Sequence, residues 1–294
     1  MMTDNSVASR IFDHFNVVLL SLLALLCLAP IWHTLALSFS SKSAAEAGMV
    51  FFWPVHFNFT SYTQIIGDQQ FWRSFLISII RVILGSSLNF LMTLLLAFPM
   101  SRTTKQLPFR NAVMYFLLFN MLFSPSMIPM YFTVKDLGLM DSIWALVLPS
   151  AVPIFNVMLL MNYFRNIPKE MEEAAMIDGA GPWYMMIRIF LPIAVPTVAV
   201  ITLFSIVGHW NAFFDGLIYM NKVEHYPLQT YIQQLIVKID PSKLTVEQLV
   251  KLQNVSAKTL NAAKIFISML PILILYPFLQ KYFIHGIMLG SVKE

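Results

Sequence analysis

The pattern with the clearest chemical meaning in this chain is a polar stretch between two apolar runs. It reads Glu173-Ala174-Ala175, continues through Asp178 and Gly179, and after nine further residues reaches Ile189-Phe190-Leu191-Pro192. Alanine on a helix lets another backbone approach closely, and a neighbouring carboxylate can pair with a basic group. The stretch therefore predicts a surface that docks a partner. An ordinary surface helix that stabilises its own loop is the alternative.

Local signals predict that this stretch forms a short helix from Pro168 to Asp178. Asn166 can cap its start, Pro168 suits its first turn, and acidic residues are favoured there by the helix dipole. Gly179 and Gly181-Pro182 end it. The expected docking face consists of residues at positions i, i+3, i+4 and i+7, which are Met171, Ala174, Ala175 and Asp178. Glu173 lies beside this face.

A second helix is expected to begin near Trp183. It would continue through Leu191-Pro192 into the next apolar run and form a rigid link to it.

Further polar residues lie inside apolar runs, where polar groups are costly and tend to be functional or paired. Arg81 is interpreted either as a counter-charge for an acidic ligand or as a side chain that reaches outward to the interface. Trp210, Asn211 and Asp215 combine an aromatic face with an amide, which suits a sugar ring. The alternatives are that Trp210 anchors the interface and that Asp215 ends the apolar segment. Three asparagines can bond to sugar hydroxyls or to neighbouring helices: Asn89, Asn120 and Asn156.

Composition indicates an integral membrane protein. Of the 294 residues, 58% are hydrophobic and 12% are charged, and the mean hydropathy is +0.70. A soluble domain carries about 25% charged residues. The basic residues are scattered, so no nucleic-acid partner is expected. Cys27 is the single cysteine and the histidines are dispersed, so neither an internal disulfide nor a metal site is expected.

Six apolar runs are long enough to cross a bilayer, which takes about 20 helical residues. They are Phe15–Leu37, Phe71–Met100, Phe109–Phe132, Ile143–Tyr163, Ile189–Met220 and Ala262–Ile284. Backbone polar groups in lipid must pair within their own segment, so the predicted fold class is an all-α bundle of six transmembrane helices. Pro125 and Pro129 are expected to kink the third helix. The first run is interpreted as an uncleaved signal anchor, with cleavage after small residues as the alternative.

Charges in the short loops predict the orientation. The loops after the second and fourth runs carry a concentration of basic residues: Arg102, Lys105, Arg110, Arg165, Lys169 and Arg188. The positive-inside rule places these loops in the cytoplasm, and with them both termini.

The expected organisation is an N-terminal anchor helix with an outer loop (1–70), a transmembrane core (71–285) and a cytoplasmic C-terminal tail (286–294). The core contains the cytoplasmic loop 164–190 and the polar outer loop 221–261. Within the outer loop, apolar spacing predicts a helix over Thr245–Leu260. A loop of this size is interpreted as a docking surface, with a solvated cap as the alternative.

The spacing from Glu173 to Pro192 resembles the EAA signature of ABC-importer permease subunits. The segment Ala174-Ala175-x-Ile177-Asp178-Gly179-Ala180 is similar to the carbohydrate branch, the class of the maltose-importer G subunit. More segments resemble permeases of complex-oligosaccharide and lipoprotein-type importers, within which the likeness extends to an alginate-oligosaccharide importer. These segments are Ile128-Pro129-x-Tyr131, Leu137-Gly138-Leu139, Trp144-Ala145-Leu146, His209-Trp210-Asn211 and Gly286 to Lys293.

This resemblance implies a type I ABC-importer permease fold and ATP-driven import of an oligosaccharide, such as alginate or another acidic oligosaccharide, across the bacterial inner membrane. The implied partners are a second homologous permease subunit, two ATPase subunits and a periplasmic solute-binding protein, with membrane lipid around the bundle. Contact with one ATPase would involve Glu173, Ala174, Ala175, Asp178 and Gly179. ATP and Mg²⁺ would bind the ATPase subunits, and no cofactor is expected on this chain.

No catalytic residue is expected in the chain itself. It has no Gly-Lys dipeptide for a phosphate-binding loop, no HExxH zinc motif and no GxSxG elbow. A self-contained secondary transporter is the alternative function, and it would show inverted repeats and buried acid relays. A membrane enzyme would need clustered catalytic groups near one interface. The sequence shows no convincing repeat and few acids within the apolar runs beyond Asp215.

Overall fold

The structure, a computed structural model, describes residues 7–123, 125–237 and 256–291. Within these ranges every regular element is helical, which confirms the predicted all-α class. The chain divides into two compact units, one formed by residues 1–69 and 234–270, the other by residues 70–233 and 271–294.

The first unit begins with α1 (Val7–Ser38), followed by the short helices α2 (Lys42–Glu46) and α3 (Thr60–Ile66). Large apolar side chains of α1 are exposed from Ile11 to Leu28, as expected for a helix surrounded by lipid.

Polar contacts hold the segment that follows α1. Trp32 Nε1 donates to the Phe52 carbonyl at 2.6 Å, and the Ser38 hydroxyl lies 2.8 Å from the Tyr62 hydroxyl. In the same unit, Lys264 forms an ion pair with Asp68 at 2.6 Å.

The second unit contains the helices that position the candidate site. In chain order they are α4 (Gln69–Ser101), α5 (Arg110–Leu122), α6 (Met127–Asp136), α7 (Ile143–Val147) with a 3-10 turn (Leu148–Ser150), α8 (Ile154–Arg165), α9 (Lys169–Ile177), α10 (Pro182–Tyr184), a π-helical segment (Met185–Phe190), α11 (Leu191–Ile193), α12 (Val195–Asn211), α13 (Phe214–Tyr219) and a 3-10 turn (Val223–His225). Besides α4, whose first residue belongs to the first unit, two more helices contain residues of both units: α14 (Leu228–Val237) and α15 (Ala257–Ser291).

The described residues contain up to six candidate membrane spans, in agreement with the six predicted runs. Three are long apolar helices: α1, α4 and α15. The other three are helix pairs that together are long and apolar enough but are bent between their members. These pairs are α5 with α6, α7 and its 3-10 turn with α8 (45°), and the helix from Pro182 to Ile193 with α12 (86°).

Prolines account for the bend in the third span only in part. α5 ends at Leu122 and α6 starts at Met127, so the break lies beside Pro125, as predicted. Pro129 instead lies in the first turn of α6, where its missing N–H leaves no helical hydrogen bond unmade.

The continuous rigid link predicted into the fifth span is wrong. The helical path from Pro182 ends at Ile193, and α12 begins at Val195 after a bend of 86°. Pro196 has no N–H to donate to the carbonyl of Pro192, so the helical ladder is interrupted there. The predicted span to Met220 is also divided, because α12 ends at Asn211 and α13 follows as a separate helix.

The last span begins at Ala257, earlier than the predicted Ala262. The helix predicted over Thr245–Leu260 lies outside the described residues as far as position 255, and Ala257 to Leu260 form the first turn of α15.

The hydrophobic core of the second unit lies where α4, α8, the π-helical segment and α12 meet. Its buried side chains include Leu94, Phe98, Leu160, Phe164, Phe190 and Ile201. This core supports the loop that carries α9.

Candidate functional site

The predicted docking helix is present as α9, one residue shorter at each end than expected. Pro168 occupies its N-cap position. Asn166, the predicted cap, instead ends α8, where its N–H donates to the Tyr163 carbonyl at 3.0 Å. Gly179 ends α9 as predicted, with φ of +79°, a left-handed conformation that a Cβ would strain.

The exposed face of α9 differs from the predicted one. Ala175 is 7% exposed and packs in the core, so it does not share an outward face with Ala174. Glu173 and Ala174 are exposed, and Ile177, one turn after Glu173, is 86% exposed. We define Glu173, Ala174 and Ile177 as the docking face. Asp178 follows it as the exposed C-cap residue.

Apolar exposure continues beyond α9. Trp183 and Tyr184 in α10 are 65% and 58% exposed. Trp183 is predicted only as the start of a helix, and Ile177 is not among the predicted contact residues. The signal that could have identified both is the presence of large apolar side chains in an otherwise polar loop.

A cavity of about 450 Å³, with several polar side chains in its lining, lies within the second unit between α4, α8, α12 and α13. Four of the seven predicted pathway residues line it: Arg81, Asn89, Asn156 and Asp215. Residues that were not predicted for the pathway also line the cavity, among them Phe204, Ser205 and His209. Phe204 and Gly208, and likewise Ser205 and His209, are four residues apart, a spacing that places each pair on one helix face.

Arg81 is paired inside the protein. Its side chain is 2% exposed, and both of its terminal nitrogens contact the two carboxylate oxygens of Asp215, with Nη1 to Oδ1 at 3.1 Å. Nη1 also donates to the Ala212 carbonyl at 3.1 Å and Nη2 to the Leu146 carbonyl at 3.4 Å. This bidentate geometry is characteristic of a strong arginine–carboxylate pair.

The pairing corrects two interpretations of these residues. Burial of Arg81 contradicts the interpretation that it reaches outward to the interface. Asp215 does not simply end an apolar segment, because it neutralises Arg81 across 134 residues of sequence. Arg81 is therefore not a free counter-charge for an acidic ligand.

Asn89 and Asn156 connect helices. Asn89 donates to the Ser150 carbonyl at 2.9 Å and accepts from Nε2 of His209 at 3.2 Å, in the amide orientation that satisfies both ends. Asn156 donates to Ser205 Oγ at 3.2 Å and so joins α8 to α12. Both are buried, and their amides serve helix packing, the alternative considered for these asparagines.

The other three predicted pathway residues do not line the cavity. Asn120 donates within its own helix to the Phe116 carbonyl at 2.8 Å. Trp210 is 3% exposed and its ring packs edge-on against Phe75, with centroids 5.6 Å apart. Asn211 is exposed at the end of α12.

Gly85 is required by the close approach of α4 to His209. A Cβ on Gly85 would come within 2.6 Å of Cδ2 of His209. We therefore expect Gly85→Ala to destabilise the protein by about 1–3 kcal/mol, the usual cost of overpacking. The measurement is thermal unfolding of the purified assembly. Gly208→Ala is the matched control, because a Cβ there meets nothing within 4 Å, and a melting temperature equal for both variants would contradict the expectation.

Within residues 7–123, 125–237 and 256–291, no group of three histidine, cysteine or acidic side chains is arranged to hold a metal ion. The polar side chains that line the cavity are an arginine–carboxylate pair, two amides, two hydroxyls and an imidazole. Such groups can bond to the hydroxyls of a solute.

Residues 87–240 match the protein family described as the binding-protein-dependent transport system inner membrane component. The polygalacturonan/rhamnogalacturonan transport system permease protein YtcP of Bacillus subtilis is 33% identical, over 97% of this chain and 99% of its own length. Protein LplC of the same organism is 36% identical, over 98% of this chain and 97% of its own length.

Two solved structures share the fold. One is a bacterial ABC transporter involved in the import of the acidic polysaccharide alginate, with a TM-score of 0.87 and 32% identity over 95% of this chain and 98% of that chain. The other is a bacterial alginate ABC transporter in complex with an alginate pentasaccharide-bound periplasmic protein. Its matching chain has a TM-score of 0.57 and 18% identity over 92% of this chain and 93% of that chain, a likeness of fold alone.

Proposed function

This chain belongs to the binding-protein-dependent transport system inner membrane components, the permease subunits of ABC importers, and from this premise we propose that it moves an acidic oligosaccharide and couples to an ATPase through α9. Family membership sets aside the self-contained secondary transporter. The observation that carries the proposed coupling is the docking face of α9, which combines a carboxylate, an alanine and an 86% exposed isoleucine.

The docking face suits an ATPase subunit for physical reasons. Ala174 permits close backbone approach, Ile177 supplies apolar area for a pocket, and Glu173 can pair with a basic residue. Gly179 fixes where the helix ends. We assign ATP and Mg²⁺ to the ATPase subunits, and ATP hydrolysis to them alone.

Further partners follow from the same proposal. A second homologous permease subunit would complete the pathway, and a solute-binding protein would deliver the sugar, as the family's description indicates. The basic loops that precede α5 and surround α9 support a cytoplasmic position for the docking face and for both termini.

The substrate class is supported by the relatives. Their named substrates include polygalacturonan/rhamnogalacturonan and the acidic polysaccharide alginate. The cavity of this chain presents the ring of Phe204, which suits a sugar face, and the hydroxyls of Ser150 and Ser205, which suit sugar hydroxyls. Because Arg81 is already neutralised by Asp215, the proposal assigns recognition of the sugar carboxylates to other surfaces of the assembly.

The proposal predicts which sugars stimulate the assembled importer. With both permeases, the ATPase subunits and the binding protein in lipid nanodiscs, oligogalacturonides or alginate oligosaccharides should raise ATP hydrolysis. Neutral malto-oligosaccharides of the same length should not, because they lack the carboxylates that define the proposed class. The readout is phosphate release.

The control for this experiment is the permease pair without ATPase subunits, which should release no phosphate with any sugar. Stimulation by the neutral sugar alone would refute the acidic substrate class. Phosphate release by the permeases alone would refute the assignment of hydrolysis to partner subunits.

A further inference from the structure

We propose that Arg102 and Glu172 form the internal link that transmits movement of α9 to α4 and to the π-helical segment. This inference rests on the proposed coupling role of α9. It assigns different roles to adjacent acids, since Glu173 lies on the docking face and Glu172 turns inward.

The carboxylate of Glu172 is bound at both oxygens by residues that follow α4. Nη1 of Arg102 lies 2.6 Å from Oε2, and the Gln106 amide donates to Oε1 at 2.9 Å. The paired side chains are 11% and 17% exposed, so solvent screens this ion pair less than a surface pair. The helix α9 is therefore tied to the end of α4 by a carboxylate held from two sides.

The guanidinium of Arg102 also lies against two aromatic rings. Its central carbon lies 4.7 Å from the ring centroid of Phe98 and 4.4 Å from that of Phe190. Cations over aromatic faces are attracted by the ring quadrupole, and the planar guanidinium can also stack on them. Arg102 thus contacts α9 through its ion pair with Glu172 and the core through these two rings.

Phe190 connects the contact between Arg102 and Glu172 to the helices of the proposed membrane-spanning core. It is the last residue of the π-helical segment, whose wider turns are rare and are found mainly at functional sites. Its ring packs against Phe98 and Phe164, with centroids 5.4 and 5.6 Å away. Arg102 and Phe190 therefore form a path by which a displacement of α9 reaches α4, α8 and the helical path toward α12.

The alternative is that this cluster only stabilises the loop. A transmitting contact and a merely stabilising contact differ in their effect on the amount of sugar moved per ATP hydrolysed. Loss of a stabilising contact lowers the amount of folded assembly but leaves that ratio unchanged. Arg102→Lys tests this directly, since lysine keeps the charge but loses the planar guanidinium that lies against the two rings.

In the reconstituted importer, Arg102→Lys should lower the sugar-to-ATP ratio by about tenfold, within the range of coupling between distant sites. ATP hydrolysis itself should continue. The control is Arg73→Lys, the same change in an exposed pair with Glu224 (3.6 Å), which should keep the wild-type ratio. If Arg102→Lys does not assemble, Glu172→Gln, which removes the charge but keeps an acceptor for Gln106, is measured instead and should show the same loss.

A wild-type ratio in the measured variant overturns the link, even if its melting temperature falls. The proposed function fails separately, if the wild-type assembly shows no sugar-stimulated ATP hydrolysis.

Discussion

Replacing Asp215 by asparagine is expected to destabilise the assembled importer by about 3–5 kcal/mol, the cost of breaking a buried ion pair by removing one partner. The side chain of Arg81 is 2% exposed, so solvent compensates its charge poorly once the carboxylate is lost. Neutral contacts to Ala212 and Leu146 remain, but they do not balance the charge. The measurement is the melting temperature of the complex in one lipid composition.

The control for this prediction is Glu224→Gln, which removes an acid from the exposed pair with Arg73 and should cost about 0–1 kcal/mol. Combining Asp215→Asn with Arg81→Met should recover part of the lost stability, because no unpaired charge is then buried. Equal melting temperatures for Asp215→Asn and Glu224→Gln would contradict the inferred contribution of the buried pair.

Glu173→Lys is expected to abolish sugar import while the permease still inserts and folds. Glu173 is exposed, so the change disturbs no core contact, but it reverses the charge offered to the ATPase. Loss of a partner in an interfacial charge pair costs about 2–5 kcal/mol, which is roughly 30-fold or more in affinity. The measurements are sugar uptake and the amount of ATPase subunit that co-purifies with the permease.

Two variants sharpen this experiment. Glu173→Gln removes the charge without reversing it and should give an intermediate loss. Glu46→Lys makes the same charge reversal at an exposed position of α2, on the outer side in the expected orientation, and should leave ATPase binding unchanged. Wild-type import and assembly by Glu173→Lys would refute the proposed role of the docking face.

Hydropathy was sufficient to find the spans because each apolar run exceeds the length of a bilayer crossing. It could not divide them correctly, since a bend depends on which helical hydrogen bond a proline removes. Pro125 lies at the break after α5, whereas Pro129 is accommodated in the first turn of α6. The bend before α12 was missed because Pro192 and Pro196 lie within an unbroken apolar run.

The candidate site, like the spans, could be predicted from the sequence only in part. The position of α9 followed from local signals, including Gly179 at its end. The side of α9 that faces the core could not be predicted from those signals. The i, i+3, i+4 rule groups residues on one face but does not say which face packs against the core. Arg81 and Asp215 were each noticed alone, but their contact joins α4 to the segment after α12 and leaves no trace in local spacing.

The neutralised pair of Arg81 and Asp215 has an electrical consequence. One uncompensated charge that crosses a membrane voltage exchanges about 2.3 kcal/mol per 100 mV with the field. Here the two opposite charges are in direct contact and travel as one dipole. A rearrangement that translates both residues together therefore moves no net charge through the membrane field, so this pair adds no gating charge to such a step.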